Sequence, residues 1–143
     1  MRVASICLLA IVSLALPACH HTGGEASGPA PAPVIEGVEW KLVELNGKPA
    51  GKGAGGQPAT LTLTAAGTRA NGYAGCNRFF GSYTLTGSAL KFGPLGMTRM
   101  ACSGTEALET GYVKALEATT GQRVEKDKLT LLAGTTVVAK FAR

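Results

Sequence analysis

The sequence predicts an α+β domain: a small antiparallel sheet with one buried face and a single helix packed on it. Short runs of alternating apolar and polar residues recur, with turn residues at roughly ten-residue spacing, the pattern of a meander whose one face is buried. One stretch, Leu108 to Thr119, instead repeats its apolar positions at three and four, the period of a helix. At 143 residues the chain suits one core plus an N-terminal extension, since two cores would each be too small to hold themselves together.

The first strand is VEWKLVELN, beginning near Val38 and ending at Asn46-Gly47, a strong turn pair. Its apolar positions are Val38, Trp40 and Leu42, then Val43 and Leu45, so the phase slips after Leu42 and predicts a β-bulge. Residues 47–58, GKPAGKGAGGQP, form a Gly-rich loop containing Gly51-x-Gly53-x-x-Gly56. That string is not a dinucleotide fingerprint, because the fingerprint needs a helix opening at its last glycine, whereas Pro58 and strand-like ATLTLT follow. No Gly-Lys-Ser/Thr ends a suitably spaced run either, which excludes a P-loop.

Further strands follow: ATLTLT with Leu61 and Leu63, a turn at Gly67, TRANGYAG, GSYTLTG with Tyr83 and Leu85, and ALKF with Leu90 and Phe92. Ser103-Gly104-Thr105-Glu106 predicts a capping box that opens the helix. Leu108, Tyr112, Ala115, Leu116 and Thr119 make its apolar stripe, and Gly121 is the predicted stop. Gly111 within it costs about 1 kcal/mol relative to Ala, either merely tolerated or admitting a strand close by. QRVEK, a Lys126-Asp127 turn, KLTLL, an Ala133-Gly134 turn and TTVVAKFA read as two or three closing strands.

Ahead of the domain, Arg2, the apolar run Val3 to Leu16 and small Ala18 describe a secretory leader over residues 1–18. The apolar run is too short to cross a bilayer, which takes about 20 residues. Leu16-Pro17-Ala18-Cys19 resembles a bacterial lipobox, which implies a diacylglycerol thioether on Cys19 and membrane attachment through it; the alternative is an ordinary secreted protein cleaved near Ala18. Two or three acyl chains anchor stably, at about 0.8 kcal/mol per buried methylene. His20 follows the cysteine where an inner-membrane retention signal would carry Asp, so the expected address is the cell envelope, at the outer membrane facing the periplasm. Residues 19–37 continue as HHTGGEASGPAPAPVIEG after the cysteine, with Pro29, Pro31 and Pro33 and no aromatic residue, which reads as a flexible tether to a domain spanning 38–143.

The net charge is +5 with 14 basic and 9 acidic residues, and loss of Arg2 with the leader leaves +4. The basic residues stand singly, so no run forms a patch for nucleic acid or acidic lipid. His20 and His21 lie beside the proposed lipid, and the carboxylates Glu25, Glu36, Glu39, Glu44, Glu106, Glu109, Glu117, Glu125 and Asp127 are scattered. Ser82 and Ser88 sit in turns without a neighbouring base. No catalytic residues, metal ligands or cofactor site are therefore expected.

The densest segment is Asn71-Gly72-Tyr73-Ala74-Gly75-Cys76-Asn77-Arg78-Phe79-Phe80-Gly81-Ser82-Tyr83, followed by Thr98-Arg99-Met100-Ala101-Cys102. With Trp40 in its W-x-L opening, the helix carrying Glu106, Tyr112 and Leu116, and the closing Leu129-x-Leu131 and Phe141, the chain resembles the META domain family, also called HslJ-like after a heat-shock lipoprotein. The resemblance covers about Gly37 to Arg143 and is weakest over 47–58. It implies a partly open antiparallel β-barrel with one packed helix, and a link to stress response, antibiotic tolerance and envelope or secretion roles. It brings no reaction and no catalytic residues. The expected function is that of a non-enzymatic envelope lipoprotein that binds or stabilises an envelope protein; the alternative is a small carrier holding an apolar ligand in its half-open barrel.

With Cys7 in the leader and Cys19 lipidated, Cys76 and Cys102 are the two thiols left in an oxidising compartment, and a disulfide is the simple reading. Closing a loop of about 27 residues would contribute roughly 3.5 kcal/mol. Two buried free thiols packed as small hydrophobes, or a redox switch, are the alternatives. Gly72 and Gly75 fit close backbone approach or positive φ, and Asn77 fits a turn bonded through its side chain. The functional rival is an exposed patch of Asn77, Arg78, Thr98 and Arg99 that contacts a partner, with the arginines as forked donors to a carboxylate or phosphate.

Overall fold

Alternation puts Trp40 and Leu42, Leu61 and Leu63, Phe79, Leu90, Leu129 and Leu131, and Phe141 on one face of successive strands, and that face closes on itself. The computed structural model describes residues 34–143; the expected leader, Cys19 and the expected tether up to residue 33 lie outside the described residues. The strands are β1 (Glu39–Leu45), β2 (Lys48–Pro49), β3 (Thr60–Thr64), β4 (Arg69–Tyr73), β5 (Arg78–Thr86) and β6 (Ala89–Phe92). Then come β7 (Gly96–Met97), the helix α1 (Glu106–Glu117), β8 (Gly121–Glu125), β9 (Lys128–Ala133) and β10 (Thr136–Ala142).

The ring runs β1-β3-β4-β5-β6-β8-β9-β10 and returns to β1 through the β10–β1 pairing, every neighbour antiparallel. Closure removes the open edges that an antiparallel meander would otherwise expose. The thinnest seam joins β6 to β8 through one residue pair, Ala89 with Gly121, and this is where the barrel is partly open. The two-residue strands β2 and β7 lie off the ring on β1 and β5.

Local chemistry explains the joints. Asn46 and Gly47 both take positive φ, 49° and 76°, the backbone that a two-residue hairpin requires. The phase slip in β1 is a bulge: its register against β10 shifts between Leu42 and Glu44. Without the slip, Leu45 and Leu42 could not both face inward.

The helix lays Tyr112, Ala115 and Leu116 against the barrel. Tyr112 is fully buried, edge-on to Phe79 at 5.8 Å between ring centroids and tilted against Phe141 at 6.0 Å. Its hydroxyl donates to the Thr60 carbonyl at 3.0 Å, so the one polar atom carried inward is satisfied. Burying large side chains of this kind contributes roughly 1.5–3 kcal/mol each. A Cβ on Gly111 would stand 3.3 Å from Leu45 Cδ2, so the glycine brings the helix close to β1.

Both helix ends differ from the sequence expectation. Thr105, not Ser103, is the N-cap residue, and it makes no side-chain cap bond. Gly104 turns the chain at φ +82°, and the Thr105 hydroxyl donates back to the Cys102 carbonyl at 3.0 Å, so the capping box does not form. The helix stops at Glu117, and Gly121 opens β8 instead of closing α1. Thr119 donates its hydroxyl to the Ala115 carbonyl at 2.8 Å, while the Thr120 amide already joins the Leu132 carbonyl at 2.7 Å, so sheet pairing ends the helix early.

The domain also reaches further towards the N-terminus than Val38. Ile35 is 6% exposed, its carbonyl accepts from Trp40 Nε1 at 2.9 Å, and the Gly37 amide donates to the Leu63 carbonyl at 2.8 Å. Glu36 accepts from the Tyr83 hydroxyl. Burial, and then the Glu36 carboxylate, push the Tyr83 phenol from 10.0 up to about 12. A raised acid pKa means that the unfolded chain releases this proton first, so stability conferred through Tyr83 is complete below about pH 10 and is lost as pH rises towards 12. Denaturant unfolding of wild type and Tyr83→Phe across pH 9 to 12 should therefore give a stability difference that shrinks with rising pH; a constant difference would contradict the assignment.

Candidate functional site

Between Tyr73 and Arg78 the chain makes a tight turn, residues 74–77, all buried and closed by the Ala74 amide on the Asn77 carbonyl at 2.8 Å. Gly75 takes φ +113°, which side-chain-bearing residues rarely adopt, and a Cβ there would lie 2.9 Å from Leu108 Cδ2 on the helix. Its carbonyl accepts from the Ala54 amide at 2.6 Å and from the Tyr73 hydroxyl at 2.6 Å. The Gly-rich loop thus docks on this turn, and a Cβ on Gly53 would stand 2.4 Å from the Gly75 oxygen. The glycines there serve a backbone contact, with no helix beyond them to meet a phosphate.

Asn77 joins the turn to two other parts of the chain. Its side-chain oxygen accepts from the Met100 amide at 2.7 Å and the Thr98 hydroxyl at 2.9 Å. Its side-chain nitrogen donates to Glu109 Oε1 at 3.1 Å and to the Met100 carbonyl at 3.3 Å, and its own amide donates to Glu109 Oε2 at 2.7 Å. Glu109 lies in the first turn of α1, where a carboxylate also meets the positive end of the helix dipole. Beside this network Cys76 and Cys102 are joined by a disulfide, with Cα atoms 5.7 Å apart.

The assembly walls a groove of about 570 Å³ on the outside of the barrel. Its floor is one row of register partners across four strands: Lys41, Thr60, Tyr73 and Arg78. Thr98 continues the row, its amide bonded to the Arg78 carbonyl at 3.0 Å. Pro58 forms one wall; Met100, 65% exposed, and the disulfide form another. Glu39 is the carboxylate among the lining residues.

The exposed patch of the rival reading is only partly assembled. Arg78 and Thr98 line the groove, Arg99 is exposed nearby but does not line it, and Asn77 is 6% exposed with its polar groups spent within the fold. Asn77 therefore holds the site together and does not face a partner. Sequence reading missed Lys41, Thr60, Tyr73 and Glu109. The first three sit at outward phases of legible strands, but only the register between distant strands aligns them. Among the described residues, no three His, Cys, Asp or Glu side chains gather to hold a metal ion.

A model of the META domain matches residues 33–143. The chain belongs to the META domain family. No curated protein matches it. Among solved structures, it is similar to a protein from Burkholderia xenovorans determined by NMR, at 32% identity and TM-score 0.60, covering 86% of this chain and 96% of that one. A second NMR structure shares 24% identity at TM-score 0.56, over 73% of this chain and 87% of that one. A DUF4847 family protein from Bacteroides vulgatus shares 14% identity at TM-score 0.53, over 76% and 94%, a likeness of fold alone.

In this META domain the disulfide closes a loop of sequence separation 26 across the groove wall. Replacing both cysteines by serine should lower unfolding stability by about 3.5 kcal/mol. Urea titration measures this as a midpoint shifted to lower urea, with a slope that is unchanged or steeper because the unlinked unfolded chain exposes more surface; an unshifted midpoint would show that the link does not constrain the chain.

Proposed function

We propose that this META domain is the folded part of a non-enzymatic envelope lipoprotein, held to the outer membrane through Cys19, whose groove docks another envelope component during stress. The observation that carries the reading is the cross-tied groove: its walls come from distant segments joined to one turn by Asn77, by the disulfide and by the Ala54 amide on the Gly75 carbonyl. A preformed wall spares the ordering entropy that a loose loop would lose on binding. Acid–base catalysis finds little there, since Glu39 is its carboxylate and the Tyr73 hydroxyl is committed to the Gly75 carbonyl. The barrel interior is filled by Trp40, Phe79, Phe141, Tyr112 and a set of leucines, which favours docking over an apolar ligand carried inside.

Photo-crosslinking in cells tests the proposal. A crosslinker replacing Met100 should give a discrete adduct under heat or antibiotic stress, one replacing Lys126 in the β8–β9 turn should not, and Cys19→Ser should abolish the Met100 adduct. Equal labelling from both positions, or none from Met100, would overturn it.

A further inference from the structure

The groove floor is richer in donors than a generic docking surface. Lys41 and Arg78 share one cross-strand row with Thr60 and Tyr73 between them. Three strand spacings separate their backbones, about 14 Å, so two long side chains can converge over the middle of the row. Neither cation is in an ion pair among the described residues, whereas Lys140 pairs with Glu44 at 2.9 Å and Arg143 with Asp127 at 2.7 Å. The Thr60 hydroxyl oxygen accepts from the Tyr73 amide at 3.2 Å, which leaves its proton to be donated outward. The Tyr73 hydroxyl proton is spent on the Gly75 carbonyl, and Thr98 both donates to Asn77 Oδ1 and accepts from the Arg78 amide. The side-chain donors left over are those of Lys41, Gln57, Thr60 and Arg78, and only Lys41 and Arg78 carry charge.

We infer that this groove is an oxyanion site: Arg78 grips a phosphate or carboxylate through its forked guanidinium, Lys41 supplies the second charge, and the Thr60 hydroxyl bonds the oxygen between them. Charge-assisted bonds of this geometry are the strong class, and arginine is the residue best matched to a planar or tetrahedral anion. Glu39, in the same groove two residues before Lys41, sets a limit on the ligand. A long polyanion would run into it, so the groove takes one anionic group on a larger molecule. Pro58, Met100 and the disulfide then supply apolar walls for the part that carries no charge. The inference rests on the docking proposal and names the chemistry that the docked component presents at this groove.

The test uses the full chain in neutral detergent, titrated with inorganic phosphate, with glucose 1-phosphate and with galacturonate while amide resonances are followed. Saturable shifts centred on Lys41, Thr60 and Arg78 are expected. Lys41→Gln and Arg78→Gln should each weaken binding about tenfold, the loss of one charge-assisted bond. Lys91→Gln, on the outer face of β6, should leave it unchanged. Tighter binding of glucose 1-phosphate assigns a phosphate ester, tighter binding of galacturonate a carboxylate, and either supports the site. Shifts spread over the exposed cations, or persisting undiminished in the Lys41→Gln/Arg78→Gln chain, would overturn it. If anion binding fails while Met100 still crosslinks in cells, the oxyanion inference falls and the docking proposal stands.

Discussion

Asn77 has a side-chain carbonyl, a side-chain amide and a backbone N–H, and all of them are bonded within the fold. Each neutral bond nets about 0.5–1.5 kcal/mol, but a buried amide left without partners costs about 1–3 kcal/mol, so the arrangement is enforced more by the penalty of breaking it than by the gain of making it. The bonds run to two segments that the barrel ladder does not hold. Residues 98–102 follow the two-residue strand β7, and Glu109 rides on a helix touching the sheet mainly through its apolar stripe. Asn77 fixes where both of them stand above the floor of β1, β3, β4 and β5.

The disulfide and the Gly-rich loop act on the same junction from two sides. Cys76 precedes Asn77 and ties Cys102 to the turn, so residues 98–102 are held at Thr98, at Met100 and at the disulfide. Gly75 precedes Cys76 and receives the Ala54 amide, which draws in the loop carrying Pro58. One turn of four residues thereby organises both walls of the groove. The same density of turn contacts restricts each position: Gly75 by φ and by Leu108, Cys76 by its partner, and Asn77 by the count of bonds it must satisfy.

Much of the fold was legible because its signals are local. Alternation located the strands of the ring, Asn46-Gly47 marked its turn by the φ those residues tolerate, and the phase slip after Leu42 foretold the bulge. The helix ends were less legible because distant contacts decide them. Ser103 and Glu106 have capping-box spacing, but Gly104 and the Cys102 carbonyl redirect Thr105, and pairing with Leu132 claims Thr120 before Gly121 can act as a stop. The site was legible in its scaffold and not in its floor. Cys76 and Cys102 could be paired by counting, and Arg78 and Thr98 by their motif. Lys41 and Thr60 looked like ordinary outward residues until strand register set them beside Tyr73 and Arg78. At Asn77 the structure agrees with the turn bonded through its side chain and not with the rival partner contact: it is the most fully bonded side chain in the site.

The claim that this junction is built through Asn77 and the helix is tested most directly by a double-mutant cycle on unfolding stability with Asn77→Ala, Glu109→Ala and the double variant. The account predicts a coupling of about 1 kcal/mol, because each substitution removes the same charge-assisted bond from Asn77 Nδ2 to Glu109 Oε1, while the residue-77 backbone amide keeps its own bond to Glu109 in Asn77→Ala. Additivity within about 0.5 kcal/mol would contradict it and would leave the groove walls to the disulfide and the apolar packing alone.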